Sequence, residues 1–391
     1  MIVVIADDLS GAAEIAGIGW RFGLTAQVQR RFSPEDRIDV VVVNTDTRSV
    51  GEDVARTTVG ALARELNHVE MLWCYKKVDS VMRGHVRAEL EVLMNTLGKP
   101  RTILAPANPS NGRTLVNGQY RIDNRPLCET DFANDPQYPA RSSLVTDVLG
   151  GSRDCAVLVR KHSDYPGHEN GIIVAEAESQ DDLSDWAAEI DERTLAAGGA
   201  DFFSAVLRER VGPGPVRYAS EVIRKAGPKL FVCGSASECS RQAVKRAPDL
   251  RVPVCPMPDP LLGDIASSRP LIDQWAKDVL DALHFDGQVI IAISQPVVKD
   301  VQRAQRLSDH MAALVESVVG RTPIGELILE GGATAEAVLA RLGWTTLDVL
   351  GEYGPGVVTL RMPGRDGLLV TIKPGSYPWP EAIMEGSKSR K

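Results

Sequence analysis

Cysteine is scarce: the 391-residue chain has six, Cys74, Cys128, Cys155, Cys233, Cys239 and Cys255, scattered and without a C-x-x-C pair. That argues against structural zinc and against a disulfide framework, and most of the six are expected to be small buried apolar residues. The six histidines offer no metal-ligand spacing, and His162 and His168 stand on a polar stretch where exposure is expected. None stands in a recognisable relation to Ser235, so a serine-hydrolase reading fails. No apolar run approaches the ~18 residues that span a membrane. The N-terminal MIVVIADD turns acidic after six apolar residues, where a signal peptide needs a basic start and a longer apolar stretch. The expected location is therefore cytoplasmic. A basic excess is missing too: 44 Lys+Arg against 52 Asp+Glu give a charge of −8. Nucleic acid is a poor partner for such a balance, and Lys388, Arg390 and Lys391 read as a short solvated tail.

What is present is an ordinary globular composition, 43% hydrophobic and 25% charged, with enough chain for two domains of roughly 100–200 residues. In the first half, apolar β-branched runs end in polar bursts. Met1–Ala6 leads into Asp7-Asp8, Val40–Val43 into Asn44-Thr45-Asp46-Thr47-Arg48, Met71–Tyr75 into Lys76-Lys77-Val78-Asp79-Ser80, and Thr102–Ala105 into PANPSNGRT. Such runs read as buried parallel strands. The intervening stretches Ala12–Phe22, Glu52–Asn67 and Val86–Leu97 read as helices, which makes an α/β domain. Ligands of open α/β sheets bind beyond the carboxyl ends of the strands, where all four bursts lie. The plainer alternative makes each burst a strand-to-helix turn with a cap.

Gly212-Pro213-Gly214-Pro215 reads as a linker and a candidate hinge. Beyond it a second strand series is expected at Lys229–Cys233, Val252–Cys255, Val289–Ile293, Leu327–Leu329, Val357–Leu360 and Leu368–Ile372. The fold class is thus α/β with two domains, 1–210 and 228–385, each with a largely parallel or mixed sheet flanked by helices. Here the strands end in glycine-rich turns. Gly331-Gly332-Ala333-Thr334, opening a helix at Ala335–Leu342, can cradle a phosphate, because glycine lets backbone approach an anion and a helix start presents free N–H groups. Gly234-Ser235 has the same logic, with Gly354-Pro355-Gly356 and Lys373-Pro374-Gly375 nearby. The candidate nucleotide-site residues are Ser235, Gly331, Gly332, Ala333, Thr334, Gly356 and Gly375.

The N-terminal bursts suit a small acidic polyol. Arg83, Arg113 and Lys76 or Lys77 can hold a carboxylate, arginine through a two-pronged fork. Asp7, Asp8 and Asp79 can accept from hydroxyls, and one of them can serve as general base, Asp8 or Asp79 in the preferred mechanism. Ser80 and Thr114 complete the substrate-binding candidates. Against this, Asp79 and Arg83 can form a local i,i+4 pair and Asp8 can simply cap the first helix.

These residues carry a resemblance to the four-carbon acid sugar kinase family. It rests on IADDLSG (5–11), KKVDSVMRG (76–84), PANPSNGRT (106–114) and RPLCETDFANDP (125–136), with CGSAS, EGGAT and KPG in the second half. The resemblance implies an N-terminal acid-sugar-binding domain and a C-terminal nucleotide-binding domain. It also implies ATP with Mg²⁺, and phosphoryl transfer to a terminal hydroxyl of a threonate, erythronate or 3-oxo-tetronate. It implies that Asp8, Asp79, Arg83 and Arg113 fall in the sugar site, and Ser235, Gly331, Gly332, Thr334 and Gly375 in the ATP site.

Three departures stand out. Ala333 replaces a common acidic residue. The ending KPGSYPWP offers Tyr377 or Trp379 for stacking on a base. Asn108 replaces a common aromatic and adds a hydrogen-bonding group near the substrate loop. Rival readings are a non-catalytic sugar-acid or nucleotide-binding regulator, and an aldolase or isomerase using Lys76 or Lys77. The apolar residues of the C-terminal half suggest a homodimer.

Overall fold

The computed structural model describes residues 1–391 except 36, 136, 151–154, 215–226, 236, 264–268, 294–299, 364–366 and 385–391. Pro215 of the expected hinge, Ala236 of the CGSAS turn and the basic tail lie outside the described residues. The chain divides into two compact units, Met1–Val216 and Arg217–Lys391, and each is described by itself.

The first unit alternates strands and helices: β1 (Ile2–Ala6), α1 (Leu9–Arg21), β2 (Ala26–Gln29), β3 (Val40–Asn44), α2 (Glu52–Leu66), β4 (Trp73–Lys77), α3 (Val86–Leu97) and β5 (Arg101–Ala105). An antiparallel excursion follows, β6 (Arg113–Val116), β7 (Gln119–Ile122) and β8 (Arg125–Pro126). Its first turn is Asn117-Gly118, both with positive φ (48° and 72°), which asparagine and glycine adopt at little cost and which suits a two-residue hairpin. Then come α4 (Val145–Leu149), β9 (Val157–Arg160), β10 (Gly171–Ala175), α5 (Gln180–Ala188), β11 (Thr194–Gly198) and α6 (Ala200–Val211).

The main strands of this unit run in the order β2-β3-β1-β4-β11-β5-β10-β9, and each neighbouring pair is parallel. Because both faces are covered, β1 and β3 are apolar almost throughout and wholly buried. From β1 the chain moves outward to β2, returns through β3, and then crosses to the other side of β1 for β4. That reversal is a topological switch point, and it lies between β1 and β4.

The second unit contains β12 (Lys229–Cys233), β13 (Val254–Pro256), β14 (Gln288–Ala292), β15 (Glu326–Glu330), β16 (Thr346–Gly354), β17 (Val357–Arg361) and β18 (Leu369–Lys373). They run β13-β14-β12-β15-β18-β17-β16, parallel from β13 to β18 and antiparallel from β18 to β16. The reversal here falls between β12 and β15. The core gathers Phe231, Cys233, Ile290, Ile328 and Val357.

The expected α/β class holds, and the strand expectations hold to within two residues, with one consequential shift. The third run lies at Trp73–Lys77, not Met71–Tyr75, so Lys76 and Lys77 end the strand and are buried. The cysteine expectation needs correcting: only Cys74 and Cys233 are buried, Cys239 is exposed, and none of the six, all of them described, is in a disulfide. Burial pushes the Cys74 thiol up to about 12. No helix among the described residues is long and apolar enough to cross a membrane.

Candidate functional site

At the switch point of the first unit, β1 delivers Asp7 and Asp8. Asp8 caps α1, its Oδ1 accepting from Gly11 N at 2.9 Å and its Oδ2 from the Ser10 hydroxyl at 2.5 Å. A cap of this kind satisfies one of the otherwise unpaired N–H groups of the helix start. Arg48, from the burst after β3, donates Nε and Nη2 to the two oxygens of Asp7, both at 2.8 Å, and shares Nη2 with Asp8 at 2.8 Å. Burial alone would raise the Asp7 carboxyl, but the charge and hydrogen bonds of Arg48, helped by Lys76, hold it below its usual range. Gly84, with φ +87°, keeps this cluster tight, since a Cβ there would lie 3.2 Å from Asp7 Oδ2.

From β4 come the lysines and Asp79. Lys76, 1% exposed, lies 2.7 Å from Glu89 of α3, itself 1% exposed. Glu89 also accepts from the Thr47 hydroxyl at 2.5 Å. Lys77 donates to Val78 O at 3.0 Å and lies 3.4 Å from Glu14. Each ammonium thus has an internal acid beside it, since an isolated buried charge would be prohibitively costly.

Asp79 and Arg83 form the anticipated i,i+4 pair, Nε to both oxygens at 3.0 and 3.1 Å, and Arg83 Nη1 reaches Asp135 at 3.1 Å. Burial opposes ionisation of Asp79, yet Arg83 and Arg48 hold its carboxyl far below the ordinary value. Arg113, on β6, donates to the Ser80 hydroxyl. Arg83 and Arg113 lie 5.5 and 5.8 Å from the Phe132 ring, so the two guanidiniums share one aromatic support. Thr114 is paired with Arg121 in the hairpin. Asn108 does not extend the site: its buried side chain accepts from the backbone N of Asp201 at 2.9 Å, in the first turn of α6.

In the second unit, β12, β15 and β18 end in register at Cys233, Glu330 and Lys373, so their turns emerge from one sheet edge. Gly331 has φ +91° and donates its N to Lys373 O at 2.9 Å. A helix begins at Gly332, three residues earlier than expected, which puts Ala333 and Thr334 in its first turn. Ala333 is exposed and Thr334 buried. The turns touch: a Cβ on Gly234 would lie 1.9 Å from Thr334 Oγ1, and one on Gly375 would lie 2.3 Å from Ser235 Oγ. Ser235 Oγ accepts from Ser237 N at 3.2 Å, and Ser237 caps the helix Glu238–Arg246. Two helix starts and glycine-only backbone thus meet at this switch point, an arrangement suited to phosphate oxygens.

Gly356 sits in the β16–β17 hairpin with φ +75°, two residues before Val358, whose partner is Ile372. It shares the edge as a turn residue. Below the edge, Lys373 and Glu330 are both 0% exposed and 2.7 Å apart, and Glu330 also takes the Ser240 hydroxyl. Trp379 is not presented for base stacking: Lys373 covers its ring at 4.9 Å and Phe231 meets it at 5.5 Å.

Arg48, Glu89 and Asp135 escaped the sequence reading. Arg48 stood in a noted burst. Glu89 could have been found as a lone acid on the face of α3 that buries Val86, Leu90 and Leu93. Asp135 stood in the quoted RPLCETDFANDP motif, but nothing local tied it to Arg83. Among the described residues no group of three or more His, Cys, Asp and Glu is arranged to hold a metal.

Two family models match in order, a sugar-binding N-terminal domain over residues 2–206 and a nucleotide-binding C-terminal domain over 230–377. Among characterised relatives, a D-threonate kinase of Salmonella typhimurium is 28% identical, with 96% of this chain and 95% of that protein covered. A D-erythronate kinase of Heliobacterium modesticaldum is 26% identical over 90% and 88%. A 3-oxo-tetronate kinase of Methylobacterium radiotolerans is 28% identical over 95% of each. The fold is shared with a Salmonella typhimurium LT2 protein solved under a provisional tRNA synthase name, at TM-score 0.81 and 19% identity over 98% and 97% of the two chains.

Proposed function

The chain belongs to the four-carbon acid sugar kinase family, and we propose on that premise that it transfers the γ-phosphoryl group of ATP to the terminal hydroxyl of a four-carbon sugar acid. The observation that carries this reading is that each matched half has, at the switch point of its own sheet, the ligand chemistry its part of the reaction requires. The first unit gathers arginines and carboxylates; the second gathers glycine-lined turns at two helix starts.

In this reading Arg83 and Arg113 take the substrate carboxylate, and the Phe132 ring, 5.5 and 5.8 Å from the two guanidiniums, supports both. Asp8 takes the proton of the attacking hydroxyl. It suits that role better than Asp79 because Asp79 is more deeply buried and has a guanidinium on both oxygens, whereas Asp8 Oδ2 accepts from the neutral Ser10 hydroxyl. A carboxylate held far below its ordinary pKa is a poor proton acceptor, and Asp79 serves instead to aim Arg83. Asp7 holds Arg48, whose shared Nη2 in turn orients Asp8. Lys76 with Glu89 and Thr47 stiffens the floor beneath them.

On the second unit Gly234, Ser235, Gly331, Gly332, Thr334 and Gly375 surround the phosphates, with backbone N–H groups as donors. Mg²⁺ accompanying ATP would supply neutralisation of the phosphate charge and would be held mainly by the nucleotide. It therefore does not require a three-carboxylate protein cluster, and the cradle offers it the hydroxyls of Ser235 and Thr334. Phosphoryl transfer asks for positioning and charge stabilisation more than covalent chemistry.

The test is ³¹P NMR of a reaction of the protein with Mg-ATP and D- and L-threonate, D- and L-erythronate and their 3-oxo forms. A new phosphomonoester signal coupled to the terminal CH₂ of one acid is the expected product. ATP cleavage to inorganic phosphate alone would defeat the proposal.

A further inference from the structure

Arg83 is occupied by two acids of different kinds. Asp79 is four residues upstream and buried. Asp135 comes from a strap 52 residues further on and reaches Arg83 Nη1 through Oδ2 at 3.1 Å. Its other oxygen, Oδ1, accepts from the backbone N of Gln137 at 3.0 Å and of Tyr138 at 2.8 Å. Those two bonds fix the Asp135 side chain, and Oδ2 meets the guanidinium. The strap is tied down on both sides of this contact. Phe132 supports Arg83 and Arg113, Gln137 donates to Ser49 O at 3.2 Å, and the Tyr138 hydroxyl donates to Arg48 O at 2.5 Å.

The charge balance makes this contact informative. Four carboxylates, Asp7, Asp8, Asp79 and Asp135, face three guanidiniums, Arg48, Arg83 and Arg113. Arg48 is committed to Asp7 and Asp8, and Asp79 takes Arg83 through Nε. By itself the site has the wrong sign for an anionic ligand. The contact that is easiest to surrender is Arg83–Asp135, because both side chains are partly exposed, 31% and 15%, whereas Asp79 is 4% exposed. Resting on the kinase reading above, we infer that Asp135 is an internal competitor that occupies the sugar-acid carboxylate's seat on Arg83 until substrate displaces it. The incoming carboxylate replaces one anion by another, so Arg83 keeps its charge partner throughout, and binding releases Asp135 from Arg83.

The test is Asp135→Asn, which keeps an oxygen for the turn while removing the charge, with Asp135→Ser as the substitute if that variant does not fold. Calorimetry and steady-state kinetics are run on both proteins with the threonate, erythronate and 3-oxo acids. The expected result is a Kd and KM for the acid lowered about three- to tenfold, with kcat nearly unchanged. The gain should vanish in an Arg83→Gln background, as coupling through that guanidinium requires. Acid affinity unchanged or weakened by Asp135→Asn would overturn the inference while leaving the kinase reading intact, since the unaltered protein would still bind and turn over the acid. Binding of no acid by either protein would overturn both.

Discussion

Replacing Gly375 by alanine puts a methyl carbon 2.3 Å from Ser235 Oγ and 2.8 Å from Ser235 Cβ. Both are closer than real carbon contacts allow, so the KPG turn or the Ser235 side chain has to move. Ser235 cannot swing away freely, because its hydroxyl accepts from Ser237 N at 3.2 Å and Ser237 starts a helix. Overpacking of this kind costs about 1–3 kcal/mol. If that cost falls on the phosphate-binding conformation, ATP affinity drops by about 5- to 150-fold at 1.4 kcal/mol per tenfold. The assay is calorimetric titration with a non-hydrolysable ATP analogue, with the sugar acid titrated in parallel and the melting temperature recorded. ATP affinity should fall while acid affinity stays, since the acid belongs to the other unit. A folded Gly375→Ala protein that binds the analogue within about twofold of the unaltered one would refute the assignment of this cradle to nucleotide phosphate.

Three further outcomes follow from the first unit. Lys76→Met strands Glu89 as a buried anion and should cost about 3–5 kcal/mol in urea unfolding, while Lys76→Met with Glu89→Gln recovers most of it; equal losses in the single and double variants would show that the pair is not coupled. Asp8→Asn should lower kcat by about 10²–10⁴-fold, whereas Asp79→Asn should raise the acid KM by loosening Arg83; near-normal turnover of Asp8→Asn would remove it as the base. Asp79, although burial opposes its ionisation, is held below the ordinary aspartate range by Arg83 and Arg48. Its stabilising contribution is therefore complete above about pH 4 and is lost as pH falls from there through the lowered native pKa. Asp79→Asn should flatten the acid limb of stability against pH below about 4, and an identical limb in both proteins would contradict the charge assignment.

The sequence was most legible where chemistry follows chain order. The Val/Ile runs of β1 and β3 announced buried parallel strands, and the position of Asp7 and Asp8 after β1 followed from that alone. The glycine turns after β12, β15 and β18 could be tied to one edge because they follow three strands of one sheet. Legibility failed where a partner comes from far away in the chain. The lysines of KKVDS looked like ligand clamps because nothing nearby says that Glu89 and Glu14 neutralise them. Asp135 reaches Arg83 across 52 residues, and no local pattern specifies such a pairing. Trp379 looked available to a base until Lys373 and Phe231 were found against its ring. Spacing reports which element a side chain stands on, and only the sheet order reports what it meets.

The central claim is acid-dependent phosphoryl transfer, and coupled ADP release measures it directly. With Mg-ATP and the panel of D- and L-threonate, D- and L-erythronate and their 3-oxo forms, ADP should appear only when one of the acids is present. Its rate should saturate with that acid. ADP release independent of every acid, or none with any of them, would contradict the account.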